Sequence, residues 1–301
     1  MELRTLGNTG MEVSRLGAGL AEIGSRLTLA KENRAGEILN LALDSGINFL
    51  DTAACYGISE ELIGRTIAHR RDEYILATKA GHTAGDYQGR SWTAETVRHS
   101  IERSLELLKT DHLDLAQLHS CSVEVLERGE VIEALLDAKQ AGKTRFIGYS
   151  GDNEAARWAV EHEVFDTLQT SFNLVDQKAR RELFPLAREK GMGIIAKRPI
   201  ANAAWGKDTS PSSYANEYHR RAQVLAETGP IPGDSGDPIV LALGFVLAHE
   251  AVDTAIVGTS DRDHMAANIR WVEEELPIAE DAVAELQQRF DEAGQGWDQE
   301  T

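Results

Sequence analysis

The chain has 301 residues, enough for two domains or one large α/β barrel, and its composition is that of an ordinary globular protein. Acidic residues outnumber basic ones 49 to 31, and the resulting formal net charge of −18 at pH 7 disfavours nucleic acid and anionic membranes as partners. No apolar run approaches the roughly 18 residues of a membrane span and no leader-like start is seen. Cys55 and Cys121 form neither a disulfide framework nor a metal set, so a cytoplasmic protein with no bound metal is expected.

In chain order, residues 1–16 predict a β-hairpin turning at Gly7-Asn8-Thr9-Gly10, placed to act as a plug or lid. Eight short apolar runs follow: Arg15–Leu20, Ile47–Leu50, Tyr74–Thr78, Leu113–Leu118, Arg145–Tyr149, Thr167–Thr170, Gly193–Ala196 and Thr254–Val257. Between them, helical spacing marks Leu29–Ser45, Ser59–Ala68, Thr93–Lys109, Val123–Ala141, Asn153–His162, Gln177–Lys190, Pro238–Glu250 and Asp261–Trp271. Thr93 and Thr96 offer N-caps, and Gly142 and Gly191 stand where a helix-ending glycine is expected. Strand and helix alternating eight times predict an α/β fold, a (β/α)8 TIM barrel, with no linker to divide residues 1–301 into two domains. Residues 198–237 break the rhythm with a Gly-, Pro- and Ser-rich loop carrying Trp205, Tyr214 and Tyr218, a stretch suited to a cofactor strap and substrate wall. After Leu276 one extra C-terminal helix fits Ala279–Ala293, and the Gly-Gln-Gly-Trp tail beyond it is expected to be partly mobile.

The stretch Ile47-Asn-Phe-Leu-Asp-Thr-Ala-Ala-Cys-Tyr56 organises the chemistry. A buried strand does not carry a charge unless it ends there, so Asp51 marks a strand's exit, with Tyr56 close above it. Lys79, His119, Ser150, Gln169 and Lys197 likewise end five other apolar runs, and catalytic groups of this fold gather on that face. A phenol is a poor proton donor or base at neutral pH unless a neighbouring ammonium stabilises its anion. Lys79 supplies that charge, Asp51 holds Lys79, and a neutral His119 can orient a carbonyl oxygen. The set suits a carbonyl that gains a proton on reduction, or an alcohol that loses one on oxidation. With His119 the one histidine at these strand ends, a metal-dependent hydrolase is disfavoured.

From residue 1 to about 275 the sequence resembles the aldo-keto reductases. The matching motifs are Arg-Leu-Gly-Ala-Gly-Leu at 15–20, Gly-Ile-Asn-Phe-Leu-Asp-Thr-Ala-x-x-Tyr-Gly at 46–57, Ala-Thr-Lys at 77–79 and Leu-Asp-Leu-x-x-Leu-His at 113–119. The resemblance implies Tyr56 as general acid/base, Lys79 and Asp51 as its tuning pair, and His119 as the residue that positions the carbonyl. It implies a nicotinamide dinucleotide across the barrel mouth, NADP(H) in preference to NAD(H), and a small aldehyde, ketone, sugar or alcohol as substrate. Ser150 and Gln169 match positions that bind the nicotinamide amide, and Gly258, Ser260, Arg262, His264 and Asn268 fall on the adenosine-phosphate loop. The chain departs from the pattern where a Tyr-Ser-Pro-Leu stretch is replaced by Lys197-Arg198-Pro199-Ile200, and where Gly151 follows Ser150. Trp92 and Trp205 are candidate substrate walls. The same family pattern also serves cofactor-binding regulatory subunits with little turnover, which remains the alternative.

Overall fold

The computed structural model describes all of residues 1–301. Strands β1 (Leu3–Thr5) and β2 (Glu12–Ser14) form the antiparallel hairpin, with Leu3 opposite Ser14. Leu6, Met11 and Val13 beside it pack against Phe49, Ala77, Leu115, Ile195 and Ile256 in a small core inside the barrel. At the turn, Gly7 has φ +51° and approaches Gly193 so closely that a Cβ would lie 2.2 Å from its nitrogen. The hairpin is therefore a plug at the N-terminal ends of the strands, not a lid over the mouth.

Eight parallel strands follow: β3 (Leu16–Gly19), β4 (Phe49–Asp51), β5 (Ile75–Ala80), β6 (Leu113–His119), β7 (Thr144–Ser150), β8 (Thr167–Ser171), β9 (Gly193–Lys197) and β10 (Thr254–Gly258). Each pairs with the next and β10 returns to β3, closing the barrel. The runs are rich in Ile, Leu, Ala and Val because both faces of each strand are covered. Outside them lie α1 (Ala21–Arg26), α2 (Glu32–Asp44), α3 (Ser59–Thr66), α4 (Ala94–Leu108), α5 (Val123–Arg128), α6 (Glu130–Gln140) and α7 (Asn153–Glu161), then α8 (Lys178–Glu182), α9 (Phe184–Glu189), α10 (Asn216–Ala226), α11 (Pro238–Leu247), α12 (Arg262–Arg270) and α13 (Glu280–Ala293). The apolar stripe of α4 buries Val97, Ile101 and Leu108, and the Thr93 side chain caps it by accepting from the Thr96 amide at 3.2 Å.

Several boundaries differ from those the spacing predicts. The helix expected over 123–141 breaks at Gly129, whose φ of +77° ends α5 and starts α6. That expected over 177–190 breaks at Leu183, where Pro185 sits in the first turn of α9 and cannot continue the hydrogen bonding of α8. The loop 198–237 contains a helix, α10, whose Tyr218 and Leu225 are buried. The tail is docked, not free. Gln299 is only 3 % exposed, and its Nε2 donates to Thr170 Oγ1 at 2.9 Å and to the Ser171 carbonyl at 2.8 Å. Its amide, carbonyl and Oε1 all bond to Asn153, and the Glu300 amide donates to Asp176 at 3.0 Å. Polar groups at the start of α7 and the end of β8 thus find their partners in the tail, which docks a glycine- and polar-rich sequence on the barrel.

Candidate active site

Parallel register brings the polar strand ends to one rim. Gly19 lies opposite Asp51, Lys79 opposite Gln117, His119 opposite Ser150 and Ser150 opposite Gln169. A cavity of about 720 Å³ opens there, and Asp51, Tyr56, Lys79 and His119 all line it. Lys79 is 2 % exposed; its Nζ donates to Asp51 Oδ2 at 2.5 Å and to the Thr52 carbonyl at 2.9 Å, and lies 5.0 Å from the centre of the Tyr56 ring. Burial disfavours the charged form of Lys79, but the Asp51 carboxylate outweighs it and holds the pKa above the usual value. The ammonium is therefore a fixed charge under the phenol.

Burial pushes the Tyr56 pKa up, and the attraction of Lys79 only partly offsets this. The sequence predicts that the ammonium prevails; desolvation prevails instead, so the resting phenol is protonated. His119 stands edge-on to Tyr56, with ring centres 5.5 Å apart and planes at 82°. Burial, followed by Lys79 and His82, holds its pKa well below the usual histidine value, so the imidazole is neutral. Its Nδ1 is 3.4 Å from Cys55 Sγ.

The Tyr56 turn depends on a contact that no local pattern announces. Gly24 in α1 lies so near that turn that a Cβ would fall 1.9 Å from the Tyr56 carbonyl oxygen. Gly57, at φ +54°, closes on the Gly24 carbonyl from the other side. A side chain at Gly24 would collide with the backbone of this turn.

Along the cavity, Ser150, Gln169, Lys197, Arg198, Pro199 and Ile200 form one wall. Gln169 is fully buried with neither its amide nitrogen nor its oxygen hydrogen-bonded, and Asn202 Nδ2 is likewise unpaired. Buried amides without protein partners are costly in a finished interior, and Gln169, which lines the cavity, is left with unmet donor and acceptor capacity. Lys197 pairs with the buried Asp152 at 2.8 Å; burial lowers the lysine pKa. Arg198 donates to Ser171 Oγ at 3.2 Å and also reaches the Glu300 carbonyl and the Tyr214 hydroxyl. Arg198, Ala201, Asn202 and Ala203 all have φ between +48° and +59°, left-handed non-glycine residues in a turn closed by backbone bonds from Ala201 to Arg198 and from Ala203 to Ile200.

At the far end, Gly258, Ser260 and His264 line the cavity together with Arg26 and Arg34. Asp261 caps α12 by accepting from the amides of Asp263 and His264, and binds Arg34 at 2.7 Å. The first turn of α12 thus already holds a carboxylate. Arg262 is exposed and Asn268 buried, and neither side chain lines the cavity. Nor do Trp92 and Trp205: the former meets His82 edge-on with ring centres 4.5 Å apart, one ring behind His119, and the latter packs on the barrel core. Sequence reasoning missed Gly24, Arg26, Arg34, Asp152 and Asn202. The paired Asp152 carried a faint signal, an acidic residue two past a strand end.

These elements define a (β/α)8 barrel in which Asp51, Tyr56, Lys79 and His119 meet in one cavity. Against the Aldo/keto reductase family, residues 15–288 match, and the chain belongs to this family of oxidoreductases. It is 30 % identical to L-galactose dehydrogenase of Arabidopsis thaliana, over 95 % of this chain and 93 % of that one. Identity to D-threo-aldose 1-dehydrogenase of a Pseudomonas species is 26 %, over 89 % and 92 % of the two chains. The holo form of aldo-keto reductase AKR11C1 from Bacillus halodurans superposes with a TM-score of 0.82 at 28 % identity, covering 96 % of each chain.

Proposed function

We propose that the protein interconverts a small polar aldehyde or ketone and its alcohol, with a nicotinamide dinucleotide, NADP(H) in preference to NAD(H), as redox partner. The observation that carries this is the convergence of Tyr56, the Asp51–Lys79 pair and neutral His119 at one end of a cavity whose wall holds an unsatisfied amide. Gln169 has a free donor and a free acceptor, the complement of a carboxamide, and Ser150 lies beside it in register. Lys197 to Ile200 would flank the ring, while Ser260, His264, Arg26 and Arg34 would meet the phosphate-bearing end. The bound dinucleotide supplies or takes up the hydride.

The chain's own groups handle the proton. In reduction, Tyr56 gives its phenolic proton to the carbonyl oxygen, and Lys79 stabilises the phenolate left behind. His119 donates a hydrogen bond to the same oxygen and fixes its direction. Asp51 keeps Lys79 charged and in place. In oxidation the steps reverse, and Tyr56 acts as base. The cavity lining includes the polar side chains of Ser120, Ser150, Asn202 and Ser212, which favours a hydroxylated substrate such as an aldose. The two sugar dehydrogenases among the relatives support that class.

Fluorescence titration of the purified protein with NADPH and with NADH tests the cofactor reading. Saturable binding of NADPH tighter than of NADH is expected; binding of neither removes the proposal. Tyr56→Phe is expected to lower kcat at least about 100-fold, the usual worth of a general acid, with the dinucleotide Kd unchanged. Undiminished reduction by that variant would remove Tyr56 from the role.

A further inference from the structure

A hydrogen bond from His119 to a carbonyl oxygen places a demand on the tautomer of the imidazole. A carbonyl oxygen only accepts, while a neutral imidazole has one N–H and one lone pair. Nδ1 faces Cys55 Sγ at 3.4 Å and has no other hydrogen-bond partner. Nε2 has no protein partner and is not sealed in the interior, on a side chain that lines the cavity. To serve the oxygen, the proton must sit on Nε2, and Nδ1 must then accept from something.

The thiol is the group placed to donate. Cys55 is half-buried, lies outside the cavity lining, and is kept protonated because burial raises its pKa. Tyr56 stands edge-on to the imidazole at 5.5 Å and His82 at 5.1 Å, which fixes the ring plane without choosing between its two flipped orientations. A donor at Nδ1 makes that choice. We propose that Cys55 is a positioning residue whose S–H donates to His119 Nδ1 and thereby holds the Nε2–H tautomer toward the cavity. The inference rests on the carbonyl–alcohol reading of the site, and it gives the residue beside the phenol a task that its position alone does not announce.

The test uses full-length protein with ¹⁵N-labelled histidine, as wild type and as Cys55→Ser, Cys55→Ala and Cys55→Val, with His119→Asn to assign the signal. Long-range ¹H–¹⁵N correlation reports the tautomer directly, without substrate or cofactor. Wild type and the serine variant are expected to show Nε2–H, since the hydroxyl also donates, whereas the alanine and valine variants are expected to show a mixture. Reductive kcat should fall by about tenfold in the latter two, the loss of one hydrogen bond, with the NADPH Kd unchanged, and serine should restore it. An alanine variant that keeps pure Nε2–H, or a valine variant as active as serine, overturns the proposal in favour of simple packing. Should wild type reduce no carbonyl at all, the functional reading fails, while the tautomer measurement still decides the role of Cys55.

Discussion

Tyr56 is held by opposed forces of different range. Desolvation acts on the phenolate wherever the charge goes, and the single ammonium below the ring does not fully offset it. With the folded pKa above the usual phenol value, the proton is present throughout the neutral range. Reduction is expected to be flat in pH there, whereas oxidation should rise steadily toward alkaline pH as phenolate accumulates. Lys79 is the group that limits the upward shift, so Lys79→Met raises it further. Oxidative kcat at about pH 8, two units below the ordinary phenol pKa, should then fall more than reductive kcat does. Equal losses in both directions would mean that Lys79 only shapes the site. Removing the ammonium also strands a buried carboxylate, at a cost of about 3–5 kcal/mol, so the comparison is best made in an Asp51→Asn/Lys79→Met background. Asp51, Lys79 and His119 were legible in the sequence because each ends an apolar run, and Tyr56 because it follows the Asp51 exit by five residues. The sign of the phenol shift was not, since it depends on how much protein covers the ring.

The C-terminal tail shows what element-level reading misses. Its composition suggests a free end, yet Gln299 and Glu300 satisfy Asn153, Thr170, Ser171 and Asp176, and the Glu300 carbonyl holds Arg198 on the cavity wall. A chain ending at Trp297 leaves those groups to water or to nothing. Loss of two or three net hydrogen bonds from buried partners is expected to cost about 2–4 kcal/mol, read as a lower melting temperature. Freed from the tail, Arg198 should weaken dinucleotide binding, so the Kd rises along with the loss of stability. The single change Gln299→Ala should give the stability effect with a smaller change in Kd, because it spares Glu300. Unchanged melting would show that the tail merely rests on the surface. The alternating strands and helices were readable because their periodicity is local. The breaks at Gly129 and Leu183 carried local signals of their own in Gly129 and Pro185, but the tail's partners lie over 120 residues away and leave no trace in its own sequence.

At the scale of the whole molecule, a surface of net charge −18 surrounds a cavity whose lining carries Arg26, Arg34, Lys79, Lys197 and Arg198 against Glu22, Asp51 and Asp261. An approaching dinucleotide, itself an anion, meets both fields at different distances. Far away it senses the net charge and is repelled; within a few ångströms it senses the cationic lining. Salt separates the two. Raising ionic strength from about 10 to about 150 mM shortens the Debye length from about 30 to about 8 Å, which removes the long-range repulsion but spares much of the short-range attraction inside the cavity. The association rate for NADPH, followed by stopped-flow fluorescence, is therefore expected to rise over this interval, opposite to the salt dependence of a protein whose binding face and net charge both attract its ligand. Neutralising surface carboxylates remote from the mouth should raise the rate at low salt and flatten its salt dependence. A rate that falls with salt in the parent protein would mean that the cationic lining governs approach even at long range, and that the acidic exterior has no bearing on how the dinucleotide arrives.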